Sequence, residues 1–326
     1  MGKTLRAVWL EVRVIPVLLW SFSALTLGTA LAAARGGLAG WYYAGAVVLG
    51  VLIQGLVAHT VNELEDWRSG TDRHPSPRLI SGGSKVIVSG LITTRGLRRL
   101  LIAALAATTA LGLALVWARG PVVLPFGLLG VAGAVAYSQP PLRAAYRPLA
   151  GEAVAFLCVV VCVVGAHVLQ GPTPDATALV AAVAVAAYAV SMLMVHHYLD
   201  READRSADPP KLTTIVWLGP VRGRRYAIGW CLVALAAAIA ASAGQPRLLP
   251  LAAGYAAGLA AHLRCRPDDV GSVTACETVI IVAGIAGALL ASVLLAPALW
   301  WAVAGAAAVF ALESRLAPTP AGTVAG

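Results

Sequence analysis

Residues 176–204 read ATALVAAVAVAAYAVSMLMVHHYLDREAD. The first 24 of them, 176–199, contain no Asp, Glu, Lys or Arg. At about 1.5 Å of rise per residue, such a run is long enough to cross the roughly 30 Å hydrocarbon core of a bilayer. Backbone in hydrocarbon must satisfy its own hydrogen bonds, so the run predicts a helix. It ends abruptly on Asp200-Arg-Glu-Ala-Asp204, where the chain returns to water.

The rest of the chain repeats this pattern. Apolar runs lie near 15–34, 41–61, 100–118, 121–137, 153–170, 177–199, 226–243, 248–263 and 276–296, with a shorter one at 298–312. The fold class is therefore all-α: a transmembrane bundle of about nine helices in a single membrane domain spanning 1–326. Only 12% of residues are charged and mean hydropathy is +0.81, against about 25% charged in soluble domains. A soluble fold is excluded. The long polar stretches 63–99 and 200–225 occupy corresponding places, suggesting similar halves at about 13–149 and 150–296, with a flexible tail at about 316–326.

Basic residues fall on alternate loops. Twenty of the 24 Lys and Arg lie in the N-terminal arm and after predicted spans 2, 4, 6 and 8. The positive-inside rule makes that side cytoplasmic, in what the Ala- and Arg-rich composition suggests is a bacterial plasma membrane. The net charge of +9 is then accounted for by anionic lipid headgroups and implies no nucleic-acid partner. Cys158, Cys162, Cys231, Cys265 and Cys276 form no CxxC pair, and no disulfide framework is expected.

The acids are concentrated on the same side. Eight of the 15, Glu63, Glu65, Asp66, Asp72, Asp200, Glu202, Asp204 and Asp208, fall in two short windows. Asn62 and Asp66 stand four apart, sharing one helix face about 6 Å apart along the axis. Asp200 and Asp204 repeat the spacing. Two carboxylates so placed need a counter-charge, which a hard, oxygen-ligated divalent cation such as Mg2+ supplies. Two facing motifs would hold a diphosphate between metal ions. Arg68, Arg78, Arg205 and Lys211 are the candidates for the remaining phosphate charge.

These residues carry a resemblance. Asn62-Glu-Leu-Glu-Asp66-Trp-Arg-Ser-Gly-Thr-Asp72 resembles the first aspartate-rich motif of the UbiA superfamily of intramembrane prenyltransferases, most nearly its menaquinone-type branch, which prenylates 1,4-dihydroxy-2-naphthoate. Asp200-Arg-Glu-Ala-Asp204 resembles the second motif, and Lys211-Leu-Thr213 the Lys-x-Thr after it. Tyr137-Ser-Gln-Pro-Pro-Leu-Arg143 with Tyr146-Arg147 is similar to the family's loop between helices 4 and 5, and Pro77-Arg78 with Ser81-Gly-Gly-Ser84 to a bacterial linker. The resemblance implies a nine-helix fold over about 13–295 and an allylic prenyl diphosphate ionised against magnesium. An electron-rich aromatic acceptor then attacks the cation. It also implies that Asp66, Asp72, Asp200 and Asp204 hold the magnesium ions, with Asn62 orienting or ligating, and that Tyr137, Arg143, Tyr146 and His197 orient substrates.

The sequence departs from the family pattern in four places. Glu63 replaces an Asp, Gly70 stands where other branches carry a third Asp, His196 and His197 replace asparagines, and Asp208-Pro-Pro210 precedes Lys211. Adjacent helical residues point about 100° apart, so only one of the two histidines is expected to face a cavity. Two other functions remain open: a terpene cyclase, which ionises the same donor without an acceptor, and a transporter. A transporter would favour broken helices with polar residues at mid-membrane.

Overall fold

A computed structural model describes residues 2–71 and 83–316, and the described residues are helices and connections, with no strand among them. The elements are α1 (Lys3–Val12), α2 (Val14–Gly36), α3 (Gly40–Ser69), α4 (Thr94–Arg119), α5 (Pro121–Ser138), α6 (Ala150–Gln170) and α7 (Ala176–His196). They continue with α8 (Arg201–Ser206), α9 (Thr214–Gly244), α10 (Leu249–Arg264), α11 (Val270–Leu295) and α12 (Trp300–Leu316). Eight of these, α2 to α7, α9 and α11, are long and apolar enough to cross a membrane. The predicted span at 248–263 becomes α10, whose 16 residues give a length of about 24 Å. The predicted number of nine is thus approximate.

The α7 helix is the centre of the bundle. Nearly every residue of α7 from Ala178 to Val195 is buried, and α6, α9 and α11 pack around it. Its alanines let neighbours approach, as membrane packing requires where lipid is as apolar as the helices. The Tyr188 ring stacks on Tyr255 of α10 at 4.0 Å, and its hydroxyl donates to the Ile280 carbonyl of α11 at 2.9 Å. Gly258 and Gly284 make room for it, since a Cβ at either would lie within 2.6 Å of the Tyr188 ring or hydroxyl.

Gly28 does the same for α2 against α6, because a Cβ there would sit 2.1 Å from the Val163 carbonyl oxygen. Gly28→Val is expected to cost at least about 1–3 kcal/mol through overpacking. The measurement is thermal unfolding in detergent. Gly229→Ala, with open space at its Cβ, is the control expected to unfold like the parent.

Three irregularities shape the interior. Gly219 adopts φ 74° ahead of Pro220 and breaks α9 near its start. Two π-helical stretches, Leu18–Phe22 in α2 and Val51–Ala58 in α3, disturb the backbone ladders of adjacent helices. There the Ser21 amide donates to the Gln54 side-chain oxygen at 3.1 Å. Such stretches recur at functional sites.

Candidate active site

A cavity of about 460 Å3 opens among α2, α3, α4, α5, α6 and α7. Its walls are mainly aliphatic and aromatic: Leu25, Leu49, Ile53, Val116, Phe126 and Leu169 are representative. Cys158 and Cys162 are part of the wall. One end is polar and is lined by Asn62, Asp66, His196, His197, Asp200 and Lys211. The two acidic motifs therefore meet, although 134 residues separate Asp66 from Asp200 in the chain. On one flank Leu113 and Leu128, 59% and 60% exposed, line the cavity as well. Their exposure within spans α4 and α5 puts them on the lipid-facing surface.

Asp66 is the hub of the polar end. One of its oxygens accepts from the Lys211 ammonium at 2.9 Å and from the Asn62 amide at 2.6 Å. The other accepts from the Tyr146 hydroxyl at 2.8 Å. The Ser138 hydroxyl donates to the Asn62 side-chain oxygen at 3.2 Å, so the amide nitrogen faces Asp66. The i, i+4 spacing read from the sequence is thus a direct hydrogen bond. Tyr146 also shares a 3.0 Å hydrogen bond with Ser69. Burial, and then the Asp66 carboxylate, raises its hydroxyl pKa above the ordinary tyrosine value, which keeps the proton on oxygen.

Lys211 carries the second motif into the same hub. The segment after α8 folds back, with the Lys211 amide donating to the Asp204 carbonyl at 2.8 Å and the Asp208 amide to the Ser69 carbonyl at 2.9 Å. Burial alone would favour a neutral amine, but the carboxylates of Asp66 and Asp204 outweigh it and raise the Lys211 pKa well above the usual lysine value. Its ammonium also lies 5.4 Å from the centre of the Tyr146 ring, whose other cationic neighbour, the Arg143 guanidinium, is at 5.5 Å.

Other expected residues divide into groups. Tyr137 lines the cavity. Arg143 ion-pairs with Glu65 at the rim. Arg68 also pairs with Glu65, at 2.7 Å, with its side chain 56% exposed. Glu63 points elsewhere, accepting from the Ser84 amide at 3.3 Å. Arg205 is exposed on α8 and lines no part of the cavity. Asp72 and Arg78 lie outside the described residues, as does the tail from 317.

The histidine expectation needs correction, because both His196 and His197 line the cavity. The 100° rule fails because α7 stops at His196 and residues 197–200 form turns. The His197 Nδ1 lies 3.6 Å from an Asp204 oxygen, too far for a hydrogen bond. Glu277 is 2% exposed and lies 3.1 Å from the Nδ1 of His196.

Two residues that the motifs did not reveal line the cavity. The Trp20 Nε1 and Gln54 Nε2 atoms are buried, and neither has a hydrogen-bond partner among the described residues. Both belong to the π-helical stretches, and both residues line the cavity. A lone glutamine within an apolar span was the available signal, whereas π-helical geometry has none in sequence.

The donor set bears on which metal the site suits. Asp66 and Asp200 face the cavity, and Asp204 lies behind them, 1% exposed. An Asp204 oxygen has no hydrogen-bond partner among the described residues. Three or more His, Cys, Asp or Glu side chains do not converge on one point among those residues, which rules out a closed all-protein cage there. Oxygen-only ligands, few in number and beside an open cavity, suit Mg2+, which keeps waters and takes one or two carboxylates together with phosphate oxygens.

Comparison with known proteins places this arrangement. No curated protein sequence matches the chain. A UbiA homolog from Archaeoglobus fulgidus, solved bound to GPP and Mg2+, is 17% identical with a TM-score of 0.63 over 88% of this chain and 99% of that one. A UbiA homolog from Aeropyrum pernix K1 is 14% identical, with a TM-score of 0.60 over 82% and 94%. A structure of digeranylgeranylglyceryl phosphate synthase is 12% identical, with a TM-score of 0.57 over 88% and 99%. At these identities the likeness shows a shared fold. The UbiA prenyltransferase family itself matches residues 21–275, a stretch containing both acidic motifs. This integral, multi-pass membrane protein belongs to the UbiA prenyltransferase family.

Proposed function

We propose that the chain is a magnesium-dependent intramembrane prenyltransferase that ionises an isoprenyl diphosphate and transfers its prenyl group to an aromatic or quinone-precursor acceptor. The reading rests above all on one arrangement: Asp66, Asp200 and Lys211 stand together at the polar end of an otherwise apolar cavity. Diphosphate belongs at that end and the prenyl chain along the aliphatic walls. Asp66, Asp200 and Asp204 and, outside the described residues, Asp72 would hold magnesium, which when bound would supply positive charge against the leaving diphosphate. Lys211 and Arg143 add fixed positive charge at the same end, the Tyr146 hydroxyl and Asn62 hold the Asp66 carboxylate in place, and Tyr137 and His197 border the reacting carbon. The site is proposed to face the cytoplasm, in the plasma membrane of a bacterium. This follows from the 20 basic residues on the acidic side.

The transferase reading is favoured over the cyclase by Trp20 and Gln54. A prenyl chain has no oxygen to accept their N–H groups, and the positive ends of N–H dipoles do nothing to stabilise a migrating carbocation. An acceptor's carbonyl, hydroxyl or carboxylate oxygen satisfies both. Gln54 lies eight residues from Asn62 in α3, about 12 Å along the axis, which leaves room for a diphosphate, its first carbon and an aromatic ring.

The test is an assay of detergent-purified protein with geranyl, farnesyl and longer prenyl diphosphates, with and without aromatic acceptors. Magnesium-dependent diphosphate release with a coupled product is expected when acceptor is present. A cyclic hydrocarbon or alcohol formed without acceptor overturns the transferase reading. Trp20→Phe keeps the ring and removes one donor, and it is expected to raise the acceptor KM roughly 3–10-fold, the worth of one hydrogen bond. The prenyl diphosphate KM should not change.

A further inference from the structure

We infer that His196, positioned by Glu277, is the general base that removes the proton from the acceptor; the inference rests on the transferase reading above. A carboxylate inside a membrane-spanning bundle is costly and implies a specific partner and use. Glu277, on α11, is 2% exposed, and its carboxylate meets the imidazole at the end of α7 at 3.1 Å. With Nδ1–H directed to that carboxylate, Nε2 is the basic nitrogen. The imidazole lines the polar end of the cavity together with Asp66, Asp200 and Lys211. It is therefore on the wall where the first carbon of the donor and the ring of the acceptor must meet. A second helix holds its orientation, so the ring does not depend on the turn that follows α7 for its position.

The aspartates at this end of the cavity are otherwise engaged. Asp66 is ion-paired with Lys211, and Asp200 and Asp204 are proposed metal ligands. His197 faces the Asp204 carboxylate, so its role remains that of a neighbour to the diphosphate end.

The chemistry balances without any oxidant or reductant. The bond from the first prenyl carbon to diphosphate oxygen breaks, and both electrons leave with the diphosphate. The acceptor's π electrons form the new carbon–carbon bond. The ring C–H bond then breaks, its electron pair restores aromaticity, and the proton goes to His196 Nε2. Glu277 offsets the positive charge of the resulting imidazolium. It acts through His196 and is a positioning residue.

The experiment compares parent, His196→Gln and Glu277→Gln in detergent, using acceptor deuterated at the reacting ring carbon. Three quantities are read: diphosphate release, coupled product and prenyl alcohol. In His196→Gln, coupled product is expected to fall about 10²–10⁴-fold, the usual worth of a general base. Diphosphate release should continue, with the cation captured by water as prenyl alcohol. A primary isotope effect on coupling should appear that is larger than in the parent, because proton removal has become slow. Glu277→Gln keeps an acceptor oxygen but loses the charge, so it should show the same isotope effect with a smaller loss of coupling.

Coupling at the parental rate in His196→Gln, with no added isotope effect, overturns the inference and leaves the proton to diphosphate or water. Should His196→Gln fail to fold, Glu277→Gln decides by the same isotope effect. If the parent releases no diphosphate, the underlying reading has failed rather than the assignment of the base.

Discussion

Asp66→Asn is expected to lower magnesium-dependent diphosphate release by about 10²–10³-fold, the usual cost of removing one group that stabilises developing charge. The side chain keeps its size and can still meet the Tyr146 hydroxyl and Asn62, which contact it at 2.8 and 2.6 Å. What it loses is the charge that holds a cation beside the diphosphate and that offsets the buried Lys211 ammonium, so a lower unfolding temperature is expected alongside the loss of activity. The measurement is pyrophosphate release against magnesium concentration, with thermal unfolding in the same detergent as the check on folding. Release at more than a tenth of the parental rate, with unchanged magnesium dependence, would mean that Asp66 plays no part in the reaction.

The second large effect concerns stability. Lys211 and Asp66 form an ion pair at 2.9 Å with both side chains under a tenth exposed. Removing one partner leaves a buried charge uncompensated, and such losses cost about 3–5 kcal/mol. Lys211→Met is therefore expected to unfold at markedly lower temperature than the parent. The Asp66→Asn/Lys211→Met double variant should recover most of that loss, since no isolated carboxylate remains, and yet stay as inactive as Asp66→Asn. If the double variant is no more stable than Lys211→Met, the pair does not explain the lysine's structural role. The two readouts separate what the hub does for the fold from what it does for the chemistry.

The spans were legible because hydrocarbon solvation imposes a length and an apolar composition that few other constraints mimic. The meeting of the motifs followed from their shared side and spacing. Less local features were hidden. The sequence places Lys211 seven residues after Asp204, which suggests a phosphate ligand, but only the turn after α8 shows that its ammonium reaches Asp66 of a distant helix. Arg68 and Arg205 read as equivalent cations near the motifs, yet both are exposed because helix rotation turns them away. The His196–Glu277 contact joins residues 81 apart, and no periodicity reports such a pairing. Likewise, nothing in the composition of 18–22 or 51–58 distinguishes a π-helical stretch from an ordinary turn of helix, so only Gln54, a lone amide in an apolar span, hinted at the donors there.

Leu113 and Leu128, which line the cavity and also face lipid, change what substrate concentration means for this protein. The prenyl tail of the proposed substrate, lying along them, would be one side chain away from the bilayer and would partition between two apolar phases rather than be drawn from bulk water. Its availability is set by moles per mole of lipid, and diluting the membrane slows encounter even when the amount per millilitre is constant. On that flank the wall is leucine side chains with lipid beyond them. For the proposed reaction, the polar pole would then be strict about the headgroup while tolerating many tail lengths, and a prenylated product would depart sideways into the leaflet that supplied its precursor.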